Sequence, residues 1–243
     1  MIIRKSKIIY TLLTMVFSFS LVLLDFRNIA MSNRNILYRV NTSQKIVALT
    51  FDDGPDPRFT PDILDILQQY HCKATFFVVG QNLELHQNLV KRALAEGHEV
   101  GNHTMSHTNL HAIPQQAVFA EINNCSQSIA ALTGVAPKFF RPPVGITNPS
   151  IEKTASNLGM VEVHWTVAIE NQSAPTPEAM ARRVLERVRP GSIILLHDGR
   201  LDRSKTVQSL PLLLQGLDEK GYQAVTLTQL LKTQTEEVLY EVK

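Results

Sequence analysis

The chain has 243 residues, 44% hydrophobic and 19% charged, the proportions of an ordinary globular domain with one sizeable core. Its 24 basic and 22 acidic side chains leave a formal charge of +2 and form no basic stripe, which argues against nucleic acid as a partner. Uncharged or mildly charged ligands suit this balance, and nothing in it calls for a protein partner.

Arg4, Lys5 and Lys7 precede an uncharged run of 17 residues, Ile8 to Leu24, closed by Asp25. A cleaved signal peptide has an apolar stretch of about 7–15 residues. A membrane span has about 20, with a lower limit near 17. Residues 1–24 therefore read as a membrane anchor or a signal segment. The poor cleavage sequence Asn28-Ile29-Ala30 favours the anchor, with its basic end in the cytoplasm. Either reading exports the chain, so an extracytoplasmic location is expected, secreted if the segment is cleaved and membrane-anchored if not. Residues 25–44, polar and rich in Asn and Arg, read as a tether. Cys72 and Cys125 read as small buried hydrophobes, with a bridge still open in an exported protein.

From Lys45 the pattern becomes regular. Ile46–Phe51 is an apolar, β-prone run ended by Asp-Asp-Gly-Pro, which predicts a buried strand and a turn. Thr60-Pro61 opens a helix, and Ala74–Val79 is the next strand, broken at Gly80. The alternation predicts helices around 86–96, 114–132, 149–158, 177–189, 206–220 and 228–232. Strands fall at 98–101, 138–141, 160–166, 192–196 and 222–225. Seven strands alternating with helices predict a single parallel α/β domain over 45–232, as a barrel or a doubly wound sheet, with a charged tail at 233–243. Ligands of such folds gather at the carboxyl ends of strands, and the polar motifs of this chain lie there.

Thr50-Phe51-Asp52-Asp53-Gly54-Pro55 ends the first strand with two adjacent carboxylates. Burying both calls for a compensating cation or proton, although Asp-Gly-Pro is also good turn chemistry. His103-Thr104-Met105-Ser106-His107 follows the third strand. Histidines at i and i+4 share one face of a helical turn and can reach one ion, and imidazole with carboxylate suits Zn²⁺, Co²⁺ or Ni²⁺. Arg141-Pro142-Pro143-Val144-Gly145 is a stiffened loop whose arginine can clamp a carboxylate or lie solvated. Leu195-Leu196-His197-Asp198-Gly199 places a histidine at the end of an apolar strand, where it can move a proton at neutral pH.

Together these motifs resemble the polysaccharide deacetylase family, the NodB homology domain of carbohydrate esterase family four, over about 190 residues. The resemblance implies a distorted (β/α) barrel of about seven parallel strands. It implies an enzyme that removes N-acetyl or O-acetyl groups from a cell-envelope or chitin-like glycan. Asp53, His103 and His107 would hold one divalent metal, zinc first, with Co, Ni or Mn as alternatives. Asp52 would be the base that activates the attacking water, oriented by Arg141. The Pro143–Val144 loop would give a backbone N–H to the oxyanion. His197 would be the acid that protonates the leaving amine, and Leu196 would line the pocket for the acetyl methyl. The family's Asp-Trp pair falls by spacing on Asn171 and Gln172, which makes Asn171 the expected support for His197, without the charge that stabilises imidazolium. Glu170 and Asp198 are neighbouring carboxylates that could compensate. A hydrolase of another amide or ester, and a glycan-binding protein without turnover, remain as alternatives.

Overall fold

A computed structural model describes residues 36–170 and 174–234. The strands are β1 (Ile36–Leu37), β2 (Ile46–Asp52), β3 (Thr75–Val78), β4 (Glu99–Asn102), β5 (Phe139–Phe140), β6 (Val161–Val163), β7 (Val167–Ala168), β8 (Ile193–His197) and β9 (Gln223–Val225). The helices are α1 (Thr60–Gln69), α2 (Gly80–Leu85), α3 (Gln87–Ala95), α4 (Gln115–Thr133), α5 (Pro149–Asn157), α6 (Pro177–Arg187), α7 (Ser204–Glu219) and α8 (Leu227–Leu231). The strand order is β1-β6-β5-β4-β3-β2-β8-β7, with β9 also paired to β2, and every strand pair is parallel. The sheet curls into a half-barrel with its helices outside, one domain as expected.

Alternation along the strands divides the core. Val47, Leu49 and Phe51 of β2, with Ile194 and Leu196 of β8, pack outward among Leu64, Leu67, Leu213 and Leu217 of the helices. Ala48 and Ile193 join Phe77, Phe139, Val163 and Val225 in the separate core on the other side of the sheet, which fills the barrel. Because successive side chains of a strand point to opposite faces, Thr50 and Asp52 follow Ala48 to the inner face. Leu195 and His197 follow Ile193 there. A third cluster, Val118, Ile122, Phe140, Ile151 and Ala155, seats α4 and α5 against β5.

The strand count differs from the seven expected, with nine among the described residues. The run at 160–166 holds only β6, which pairs with β5 and β1, and a separate strand, β7, follows it and pairs with β8 at the far edge. The other addition is β1, so the tether reading is corrected over residues 36–44. Val40 there is 1% exposed, His164 N–H donates to Leu37 O at 2.8 Å, and Val40 N–H donates to Gly191 O at 3.0 Å. This segment bonds to the end of β6 and to the turn before β8, and its short apolar pattern was hidden by the polar residues around it. The strand before Gly80 ends as expected, and Gly80 opens a short helix, α2, that the sequence pattern did not predict. Among the described residues no helix is long and apolar enough to cross a membrane. The segment read as an anchor, 1–24, lies outside the described residues.

Candidate active site

The end of β2 carries two carboxylates in different settings. Asp52 continues the inward face of the strand, while Asp53 turns into the left-handed region at φ 75°. Asn82 holds that turn by donating to Asp53 O at 2.9 Å. The loop after β8 presses against it. A Cβ on Gly199 would lie 2.4 Å from Asp53 O, and one on Gly54 would overlap the Asp198 carboxylate. The two motifs interlock through their glycines, which only a residue without Cβ permits.

Asp53 Oδ1 lies 3.0 Å from His107 Nε2 and 3.5 Å from His103 Nε2, and it is buried with no hydrogen-bond partner. Its Oδ2 accepts from Arg203 Nη2 at 3.1 Å. Burial opposes ionisation of Asp53, but the two histidines outweigh it and hold its carboxyl far below the usual carboxylate range. His103 Nδ1 lies 2.8 Å from Arg141 O, a carbonyl, so Nδ1 carries the proton and Nε2 keeps its lone pair free. One ligand atom from each of Asp53, His103 and His107 falls within 4.8 Å of the others. An orphaned carboxylate oxygen facing two imidazole nitrogens fits a divalent cation, and nitrogen–oxygen donors suit zinc and its neighbours. The helical turn expected for these histidines is not what joins them. His103 and His107 lie in a loop after β4, with Thr104 and His107 both at positive φ, and the loop brings the rings to a centroid distance of 5.0 Å.

Asp52 is 3% exposed, and its Oδ1 accepts from Arg141 Nη1 at 2.7 Å. Arg141 is fully buried over the Phe77 ring, and each of its nitrogens donates: Nε to Val163 O, Nη2 to His164 O and Nη1 also to Thr50 Oγ1. The guanidinium is thus fixed by three strands. The other oxygen, Asp52 Oδ2, is 3.9 Å from His103 Nε2, so this carboxylate borders the cation site without belonging to the triad.

β8 delivers His197 to the same inner face, opposite Asp52 in register. Its Nδ1 lies 3.1 Å from Glu170 Oε2, while Glu170 Oε1 accepts from His197 N–H at 3.1 Å and from Thr206 Oγ1 at 2.7 Å. Burial disfavours the imidazolium, but Glu170 outweighs it and His197 titrates above its ordinary value. Asp198, completely buried and near the other carboxylates, is pushed up to about 7.

The sequence model for polysaccharide deacetylases matches residues 39–163. The chain is 38% identical over 199 residues to a peptidoglycan-N-acetylglucosamine deacetylase of Bacillus cereus, covering 81% of this chain and 93% of that protein. It is 38% identical over 196 residues to a chitooligosaccharide deacetylase of a Bradyrhizobium species, covering 76% and 90%. A solved peptidoglycan N-acetylglucosamine deacetylase, in complex with an N-hydroxybenzamide, superposes with a TM-score of 0.78 at 36% identity, covering 84% of this chain and 96% of that one. The chain belongs to the polysaccharide deacetylase family.

Three site expectations drawn from the family pattern change on this geometry. The described group at His197 is Glu170, one of the two carboxylates expected to compensate for Asn171. β7 pairs Val167 with Ile194 and Ala168 with Leu195, so the register carries Glu170, two residues beyond Ala168, to His197. Asn171 itself lies outside the described residues. The second concerns Leu196, which has no exposed surface and packs outward with Phe51, so it borders no pocket. Leu195, 4% exposed, is the residue of the pair that shares the inner face with His197. The third is Pro143, which has no N–H to give. Gly145 and Ile146 donate to Pro142 O and Pro143 O, leaving the Val144 N–H without an internal partner among the described residues. Val144 sits at φ 52°, rare for a β-branched residue, and is 64% exposed.

A cleft of about 300 Å³ opens beside this centre, lined by Asp53, Asp56, Asn82, His86, Ser106, His107 and Arg200 among others. Arg203 and Arg200 were not singled out in the sequence; both follow the His197-Asp198-Gly199 turn, whose contact with Asp53 brings them in.

Proposed function

We propose that this protein is a metal-dependent hydrolase that removes acetyl groups from an N-acetylated cell-envelope glycan, with Zn²⁺ as the resident ion. The observation that carries the proposal is the division of labour between Asp53, whose free oxygen faces two histidines, and Asp52, held beside them by Arg141. An ion held by Asp53, His103 and His107 supplies Lewis acidity, polarising a carbonyl and making water acidic near neutral pH.

The chain's own residues do the rest. Asp52 accepts a proton from the water that attacks the acetyl carbonyl, its free oxygen turned toward the cation site. The Val144 N–H donates to the oxygen that gains negative charge, a contact worth about 3–4 kcal/mol in comparable sites. His197, protonated and backed by Glu170, donates to the departing nitrogen. Leu195 borders the acetyl methyl on the inner face. An amide needs all of these, because its nitrogen leaves only when protonated.

The relatives named above act on peptidoglycan and on chitooligosaccharides, which supports an N-acetylglucosamine unit as the reacting sugar. The basic and apolar sequence at 1–24 supports an extracytoplasmic, membrane-anchored protein. The test is acetate release from peptidoglycan and from N-acetylglucosamine oligomers with added Zn²⁺ or Co²⁺, beside Asp52→Asn and His103→Ala. Release that needs metal and is lost in both variants is expected. Release that persists in Asp52→Asn would overturn the assigned base.

A further inference from the structure

We propose that Glu162 is a positioning residue for the reaction: its buried carboxylate ties the loop at Pro143–Gly145 to the end of β6 and so fixes the Val144 N–H. The inference rests on the hydrolase reading above and names the group that holds its oxyanion donor in place.

Glu162 lies in the middle of β6, 1% exposed, in register with Ile36 on one side and Phe140 on the other. Paired residues of neighbouring strands share a face, so its side chain lies on the outer face with Phe140, where Ile151, Ala155 and Met160 pack. An apolar residue would suit that packing, and a carboxylate there is costly unless its oxygens are met. Both oxygens of Glu162 are met. Oε1 lies 2.8 Å from His164 Nε2, and Oε2 accepts from the Thr147 hydroxyl at 3.0 Å.

The two contacts reach different parts of the site. The His164 carbonyl accepts from Arg141 Nη2 at 2.9 Å, and Arg141 in turn holds Asp52. Thr147 follows the loop that carries Val144, and that loop has little hold of its own. Its internal hydrogen bonds run from Gly145 N–H to Pro142 O at 3.1 Å and from Ile146 N–H to Pro143 O at 3.3 Å. The Val144 and Ile146 side chains are exposed and anchor nothing. Val144 sits in the left-handed region, a conformation that a β-branched residue keeps only where its surroundings enforce it. Among the described residues, the Thr147–Glu162 bond is the one side-chain hydrogen bond from residues 143–147 to the sheet. Beside it the loop lies against Trp165, where a Cβ on Gly145 would come within 2.4 Å of the indole.

Trp165 is the single tryptophan of the chain, so its fluorescence reports the loop directly, with no substrate present. The experiment compares the full chain with Thr147→Val, Glu162→Gln and Glu162→Leu. The measurements are acrylamide quenching of Trp165, Zn²⁺ affinity by chelator competition, and kcat and KM for acetate release from N-acetylglucosamine oligomers. Removing an oxyanion donor outright costs about 10²–10³ in kcat. Thr147→Val removes the tie and keeps the donor. Its kcat should fall about tenfold with KM unchanged, the signature of a contact made only in the transition state. Quenching should steepen as the indole loses its cover, while Zn²⁺ affinity stays at the wild-type value. Glu162→Leu should lose at least as much kcat. Glu162→Gln can keep both contacts, its amide oxygen toward His164 and its amide nitrogen toward Thr147 Oγ1, and should match the wild type in kcat and quenching. Native quenching or native kcat in Thr147→Val would overturn the proposal, as would a rise in KM in place of the fall in kcat. A Glu162→Gln protein as impaired as Glu162→Leu would also overturn it. Should Glu162→Leu not fold, the other two variants decide the case. If the wild type releases no acetate, the hydrolase reading fails, and the quenching comparison still decides whether Glu162 holds the loop.

Discussion

Replacing Glu170 by Gln keeps the size of the side chain and an acceptor oxygen but removes its charge. In the native protein Glu170 Oε2 lies 3.1 Å from His197 Nδ1, with both side chains 23% exposed. The contact is an ion pair without hydrogen-bond geometry, worth about 1–2 kcal/mol in a half-buried setting, and one pKa unit corresponds to about 1.4 kcal/mol. Partial exposure to water places the effect near the lower end, so the His197 value should fall by about one unit. In the proposed reaction His197 acts as an acid, and its value is raised by Glu170 against the effect of burial. The protonated form is therefore complete below that value and lost as pH rises through it. In Glu170→Gln the basic limb of kcat should move to lower pH by about one unit, while the acidic limb stays in place. The assay is acetate release followed across pH under substrate saturation with metal present. A basic limb that does not move would refute the assignment of Glu170 as the partner of His197.

Arg141→Met should destabilise the domain by about 3–5 kcal/mol in denaturant unfolding, because Asp52 would be left buried and unpaired, and acetate release should vanish. Gly199→Ala would drive a methyl group to within 2.4 Å of Asp53 O. Zinc affinity, read by chelator competition, should fall at least tenfold, with a stability cost of about 1–3 kcal/mol. Leu196→Ala should cost about 2–5 kcal/mol of stability with little change in kcat/KM, as expected of a fully buried outward residue. Leu195→Ala should lower kcat/KM more than Leu196→Ala does, measured on the same oligomer.

Much of the site was legible because each motif closes an apolar run, and the half-barrel gathers strand ends. Asp52 and Asp53 end β2, and His197 ends β8, in neighbouring register. What spacing could not give was the face of each residue. Leu195 and Leu196 are chemically identical, and only the pairing of β8 with β2 tells which one turns inward. Glu170 and Asn171 pose the same problem one strand away, where counting from a family pattern missed the register set by Val167 and Ala168. The His103–His107 spacing reads as a helical turn, yet positive φ values at Thr104 and His107 make it a loop. β1 escaped notice for a different reason. Two residues at the end of a polar stretch carry no periodicity, and their bonds run to partners 126 residues away.

In the proposed function, one divalent ion at Asp53, His103 and His107 makes an acetyl-releasing enzyme of this chain. Titrating the metal-stripped protein with Zn²⁺ while following acetate release from peptidoglycan and from N-acetylglucosamine oligomers tests it most directly. Release should rise from none to a plateau at one equivalent of bound ion, and His107→Ala should abolish the rise. Protein that binds one equivalent and releases no acetate from either polymer would contradict the account.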